Sequence, residues 1–263
     1  MSFLQLDIDE KNSEYWNELC GSSAAKYLGI TDSSRESIEK FDNWYFSFYP
    51  YLQENYLQLE KILNKKVLEI GLGYGTVSQW LAKSAHSFTG IDIAEGPVNF
   101  LNHRLKLMKK PYNACVMSAH QLNFPDNCFD FVVSIGCFHH TGNIKKCIDE
   151  AYRVLVPGGI LLFMCYNKHS FREFCHHPIK TFFSFYEEFL IFDNSDRFRY
   201  DKNLNGKEAP FTEASSKRGL VNLCEKFSFC KINVENIGGS YRRFFIKNLG
   251  RIFGTDLYVQ CIK

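Results

Sequence analysis

From Lys66 to Tyr166 the chain alternates short apolar runs with stretches whose apolar residues return every three or four positions. The runs are too short for helices and the periodic stretches suit them, so the pattern predicts strands alternating with helices. Strands are expected at Lys66–Ile70, His86–Asp92, Asn113–Met117, Phe129–Ile135 and Ile160–Tyr166. Helices are expected at Thr76–Lys83, Pro97–Met108 and Ile144–Val154. The strands lack clean period-two alternation, as in a parallel sheet covered on both faces.

The flanks follow other rhythms. Residues 1–35 are polar, with Trp16, Leu19 and Tyr27 as isolated apolar anchors. Ile38, Phe41, Tyr45, Tyr49, Leu52, Tyr56, Leu59 and Leu63 keep helical spacing, which Pro50 splits into two pieces. Residues 167–213 are aromatic and basic, with a helix-like stretch from Phe182 to Phe192, and read as a cap inserted over the site. Beyond them come a helix within 214–227, a strand Phe229–Val234, a basic amphipathic helix Tyr241–Phe253 and a last strand Leu257–Ile262. The expected fold class is α/β: a doubly wound, mostly parallel, seven-stranded Rossmann-like sheet closed by a C-terminal antiparallel hairpin. The divisions are 1–65 for an extension with lid helices, 66–166 for a nucleotide-binding core, 167–213 for the cap and 214–263 for completion of the sheet.

Composition narrows the function classes. A formal charge of +2 in 263 residues leaves no footprint for nucleic acid. No run of about 18 apolar residues appears, so no membrane span is expected. The start M-S-F-L-Q-L-D-I-D-E lacks the basic and apolar regions of a signal peptide, and the ten cysteines contain no C-x-x-C. A cytoplasmic protein with reduced thiols, monomeric or homodimeric, is the expectation. Cys175-His176-His177 is the one metal-like cluster, and adjacent residues rarely aim at one ion, so no metal is expected. The 25 Phe and 14 Tyr concentrate in residues 41–56 and 171–198, where they either line an apolar pocket or pack the accessory segments onto the core.

The chemistry centres on V-L-E-I-G-L-G-Y-G, residues 67–75. Strand, glycine turn and helix in that order make a nucleotide-binding turn. A P-loop would need Gly-Lys followed by Ser or Thr, which is absent. A dinucleotide site wants a sixth-position glycine, where this chain has Thr76; the third glycine, Gly75, comes one residue early. S-adenosylmethionine is the third reading. Glu69, just before Gly71 and Gly73, would repel a pyrophosphate but suits a ligand carrying an ammonium and a sulfonium. Asp92 ends the second strand about 20 residues further on, where a carboxylate accepts ribose hydroxyls. NAD shares that ribose, so Asp92 does not discriminate; Glu69 does.

Three stretches, E-I-G-L-G-Y-G, S-A-H-Q-L-N-F-P-D-N-C-F-D-F-V-V-S-I (118–135) and R-V-L-V-P-G-G (153–159), together resemble the class I S-adenosylmethionine-dependent methyltransferase family of small-molecule type. The likeness runs from Lys66 to Tyr166. It implies that Glu69, Gly71, Gly73 and Gly75 lie under the methionine and ribose of the cofactor, that Asp92 holds the ribose and that Ile93 packs on the adenine. Ser118 and Ala119 would flank the adenine edge; the family often has Asp where this chain has Ser118, and a hydroxyl can still meet the adenine amino group. Gly136 would let the backbone approach the methionine portion, and Tyr45, on a helix that closes over the cofactor in related enzymes, would touch its carboxylate. Phe138, His139 and His140 fall on the segment that meets the methyl acceptor. His139 or His140 could act as base for a hydroxyl or amine acceptor, with His139 favoured as nearer the strand end. Arg172, His176, His177, Arg197 and Arg199 either recognise an anionic or sugar-bearing acceptor or form a solvated basic face. Asp130 and Arg153 are read as braces.

The function expected is methyl transfer to an oxygen or nitrogen of a small-molecule acceptor such as a polyketide, a quinone-like ring or a sugar. A non-catalytic binding module with the same fold is the alternative. A nucleic-acid methyltransferase ranks lower, because strand 4 is followed by G-C-F-H and not by an Asp/Asn-Pro-Pro-aromatic motif. An NAD-dependent oxidoreductase is disfavoured by Thr76 and Glu69.

Overall fold

A computed structural model describes residues 3–183, 186–237 and 247–263. Its strands are β1 (Lys66–Ile70), β2 (Ser87–Asp92), β3 (Asn113–Val116), β4 (Phe129–Ile135), β5 (Leu155–Asn167), β6 (Phe189–Ile191), β7 (Glu213–Ser215), β8 (Phe229–Glu235) and β9 (Asp256–Ile262). The order β3-β2-β1-β4-β5 is parallel throughout and reverses direction of winding at β1 and β4. Ligands bind at such a switch point, beyond the carboxyl ends of the strands. β9 pairs antiparallel with β5, and β8 with β9, which is the expected closing hairpin.

The α/β sheet is the one anticipated, with a larger strand count. Nine strands appear among the described residues because the insertion adds β6 and β7, of which β7 pairs with the end of β5. The expected helix over Phe182–Phe192 is therefore corrected: a helix Pro178–Phe183 is followed by a strand at Phe189–Ile191. F-L-I gains ladder hydrogen bonds on an edge, which outweigh a short apolar run's weak preference for helix. The basic helix is described from Lys247 to Phe253; residues 241–246 of that expectation lie outside the described residues.

Both faces of the sheet are covered. One core contains Leu68, Ile70, Val132 and Phe163 and packs against the helix Ile144–Val154, whose Asn143 cap accepts from the Lys146 N–H at 3.0 Å. The other contains Val67, Leu81, Leu101 and Val133, beneath the helices Thr76–Ala82 and Glu95–Leu107. The N-terminal extension, read as loosely anchored, holds a helix Phe3–Tyr15 and a second Ser22–Tyr27; Tyr27 is no anchor, being 85% exposed. The split aromatic helix appears as Arg35–Phe48, a π-helical turn Leu52–Tyr56 and a short helix Leu59–Ile62.

Asp130 and Arg153 serve as braces. The Asp130 carboxylate accepts from the Lys66 N–H at 2.8 Å, fixing β4 to the start of β1. Arg153 donates to Glu150, to Asp126 and to the Leu122 and Phe124 carbonyls, fastening the loop that precedes β4.

Candidate functional site

The glycine turn follows from sterics. Gly71 has φ +82°, and a Cβ there would stand 2.4 Å from Cys137 Cβ, so a side chain is excluded by both backbone and space. The turn is pinned by Asp92. One carboxylate oxygen accepts from the Leu72 N–H at 2.8 Å and the other from the Ala94 N–H at 3.0 Å. Burial raises its pKa, and the backbone donors oppose that rise. Each oxygen keeps lone-pair capacity for a further donor.

A cleft of about 760 Å³ opens beyond β1, β2 and β4. Gly71, Gly73, Asp92, Ile93, Ser118, Ala119, Gly136 and His140 all line it. A second lobe of about 650 Å³ shares Cys20, Gly71, Gly73 and Ile135 with the first, and holds Glu69, Tyr45 and Tyr49. The glycine turn thus separates two connected spaces. Gly75 lines neither; its Cα backs onto the Arg104 side chain at 3.0 Å from a would-be Cβ. Arg104 is fully buried; its Nη2 donates to both Asp42 oxygens at 2.6 Å, and its Nη1 donates to the Tyr74 carbonyl. That ion pair supports the turn from behind.

Glu69 is 2% exposed, and its Oε2 has no hydrogen-bond partner among the described residues. Burial pushes its carboxyl up to about 8. An orphaned acidic oxygen beside a glycine turn fits a ligand with a positive centre and disfavours a pyrophosphate.

The two histidines separate sharply. Phe138–His140 form one 3₁₀ turn after β4, which sends adjacent side chains in different directions. His140 reaches the cleft, where its ring lies 4.8 Å from that of Trp16. Its Nδ1 meets the Phe211 carbonyl at 2.9 Å; that oxygen only accepts, so Nδ1 carries the proton and Nε2 keeps its lone pair. Asp201 Oδ2 stands 3.7 Å from Nε2, and Tyr166 donates to both oxygens of Asp201 at 2.9 and 3.1 Å. His139 is fully buried against Tyr166 and does not line the cleft, and desolvation lowers its pKa well below the ordinary range. The preference for His139 is thereby reversed: nearness to the strand end in sequence turned its ring inward.

Several residues escaped the sequence. The helix Phe3–Tyr15 roofs the cleft with Asp9 and Asn12, and Trp16 and Cys20 extend that roof. Asn12 donates to the His140 carbonyl at 2.8 Å, Gln5 to the Thr141 carbonyl at 2.7 Å and Ser13 to the Ile93 carbonyl at 3.1 Å. Side chains that hydrogen-bond to backbone leave no hydrophobic period to detect. Asp9 also approaches His120 at 3.6 Å across the cleft. In contrast, the arginines of the insertion are engaged locally. Arg172 donates to the Arg199 carbonyl and lies over the Tyr200 ring, Arg197 binds Asn194 and the Phe192 carbonyl, and Arg199 pairs with Asp196 beside His177. Among the described residues no lysine or arginine lines the cleft, and none of these arginines is among its lining.

Residues 68–163 match the family described as the methyltransferase domain. The core is a class I S-adenosylmethionine-dependent methyltransferase domain. Demethylmenaquinone methyltransferase of Tropheryma whipplei (strain Twist) is 31% identical over 108 residues, covering 41% of this chain and 44% of that protein. Fatty-acid O-methyltransferase of Mycolicibacterium smegmatis is 32% identical over 101 residues, covering 38% of this chain and 36% of that protein. The chain thus spans less than half the length of these curated relatives. A solved S-adenosylmethionine-dependent methyltransferase of Thermotoga maritima, described as a possible histamine N-methyltransferase, has a TM-score of 0.55. It covers 86% of this chain and 96% of that chain at 18% identity, a likeness of fold. The methyltransferase core is therefore shared, while the roof helix over its cleft and the insertion lie outside the matched residues.

Proposed function

We propose that this chain transfers a methyl group from S-adenosylmethionine to an oxygen or nitrogen of a small-molecule acceptor, with His140 receiving the acceptor's proton. The observation that carries the reading is one cleft containing the glycine turn, the Asp92 carboxylate and His140. When bound, S-adenosylmethionine supplies an electrophilic methyl group on a sulfonium. Asp92 would hold the ribose hydroxyls, Ile93 and Ala119 would pack on the adenine, Ser118 would meet its edge, and Glu69 would face the positive end from the second lobe, near Tyr45.

The chain's own residues supply the rest. The Phe211 carbonyl fixes the His140 tautomer and leaves Nε2 as an acceptor toward a hydroxyl or amine. The proton taken by Nε2 is stabilised by Asp201, whose charge Tyr166 holds in place. The roof helix excludes water from the cleft, which favours alignment over solvation. Among the described residues the lining holds no lysine or arginine, which supports a neutral acceptor, and Trp16 supports an apolar or planar one. The name of the quinone relative agrees with that class.

Isothermal titration with S-adenosylmethionine and with NAD tests the first layer. Binding of the former alone, followed by transfer of labelled methyl to members of a neutral acceptor library, is the expected result. Binding of NAD alone would overturn the proposal; cofactor binding without turnover on any acceptor would leave the non-catalytic module as the better description.

A further inference from the structure

A second site of a different kind lies in the closing hairpin. Cys230 on β8 and Cys261 on β9 are directly opposite residues of the antiparallel pair. Cys224, at the C-terminal end of the helix Lys217–Leu223, comes down between them. The three sulfurs all lie within 4.8 Å of one another, the one such convergence of three potential ligands among the described residues. Cys224 and Cys261 are buried at 1% and 0% exposure, while Cys230 is half-buried and leaves a path from solvent.

We propose that Cys224, Cys230 and Cys261 form a binding site for one soft, thiophilic metal ion, best suited to monovalent copper. Thiolate sulfur selects soft ions over hard ones. Bonds of about 2.3 Å in a planar three-sulfur site place the sulfurs about 4 Å apart, so the trio closes by less than about 1 Å through side-chain rotation. Zinc would want a fourth ligand. No further cysteine, histidine or carboxylate joins the trio among the described residues, and its surroundings are the apolar core of Leu220, Phe227, Val234 and Val259. A soft ion that accepts three ligands fits this trio better.

Copper(I) forms bonds to three sulfurs while the ionising thiols release their protons to solvent, with no change of oxidation state. The ion would tie β8, β9 and the preceding helix together, so binding would add to the stability of the closing hairpin.

The test uses the full reduced chain under anaerobic conditions, in a Cys20→Ser, Cys175→Ser background that removes the two exposed thiols. Copper(I) is titrated in competition with bicinchoninate, and cadmium serves as a spectroscopic probe of thiolate ligation. One equivalent bound per chain, with affinity falling at least a hundredfold in Cys230→Ser and in Cys261→Ser, is the expected result. Melting temperature should rise with the ion in the background protein and stay constant in those variants. Circular dichroism of each variant without metal separates lost ligation from lost folding, and the half-buried Cys230→Ser is the variant that folding tolerates best. Absence of stoichiometric binding, or equal binding by the variants, overturns the site. Oxidation of Cys230 and Cys261 to a disulfide in a protein that binds no ion when reduced also overturns it.

Discussion

Glu69 makes a prediction about pH that needs no knowledge of the acceptor. Burial holds its carboxyl protonated in the folded chain to about pH 8, against an ordinary value of 4.5. Ser78, Arg104 and Asp92 face it: the first two favour the charged form, Asp92 opposes it, and desolvation outweighs all three. Between the two values the folded protein binds a proton that the unfolded chain has lost. Stability attributable to Glu69 is thus complete below pH 4.5 and declines as pH rises through about 8. At about 1.4 kcal/mol per pH unit the full loss is about 5 kcal/mol, and about 1–1.5 kcal/mol of it falls between pH 7 and 9. Glu69→Gln keeps the shape and cannot ionise. Urea unfolding of both proteins without cofactor, from pH 5 to 9, should show the wild type falling away from the variant as pH rises. The difference curve isolates Glu69 from Glu213 and Asp256, which burial pushes up to about 7 and about 6. Parallel curves would refute the reasoning. The same proton should leave when a cationic ligand binds, so the titration enthalpy of S-adenosylmethionine at pH 7 should vary with buffer ionisation heat in the wild type and not in Glu69→Gln.

Further substitutions probe the remaining parts. Asp92→Ala should weaken S-adenosylmethionine by about 1.5–3 kcal/mol, roughly ten- to a hundredfold in Kd by calorimetry, and should lower stability as well because the Leu72 and Ala94 amides lose their acceptors. Arg104→Leu should cost about 3–5 kcal/mol in urea unfolding by stranding Asp42, towards the low end because Thr76 and Gln79 still donate to that carboxylate; the double variant with Asp42→Leu should recover part of it. Once an acceptor is in hand, His140→Ala should slow turnover about 10²-fold with cofactor affinity retained, whereas His139→Phe should change it only a few-fold. The reverse order would return the base role to His139.

The parts legible in the sequence share a physical cause. Strands such as K-V-L-E-I and the helix Ile144–Val154 bury apolar side chains, and burial imposes period and run length on the sequence. Glu69 and Asp92 were legible because a charge at the end of an apolar strand has few structural uses. The roof helix was not, since Gln5, Asn12 and Ser13 hold it by side-chain bonds to carbonyls, which any polar segment could make. Asp201 was hidden for another reason: it stands 61 positions after His140, in D-K-N-L-N-G-K, where the composition reads as a polar loop. The three cysteines are separated in sequence and meet only through the β8–β9 register.

Evolving a new acceptor on this scaffold would accordingly act on two thin layers. In the proposed arrangement the sheet, the glycine turn and Asp92 would place the methyl donor, and their packing leaves little freedom, as Gly71 against Cys137 illustrates. The cleft is roofed by Asp9, Asn12 and Trp16, and the insertion backs His140 through Phe211, Thr212 and Asp201. These segments are joined to the core mainly by hydrogen bonds to loop carbonyls and by the short β5–β7 ladder. Such contacts tolerate replacement of outward side chains better than a close-packed core does. If these two segments, outside the shared methyltransferase domain, govern acceptor choice, substitutions at Asp9 and Trp16 should alter acceptor preference before they alter cofactor affinity, compared by turnover on an acceptor panel and by calorimetry with S-adenosylmethionine.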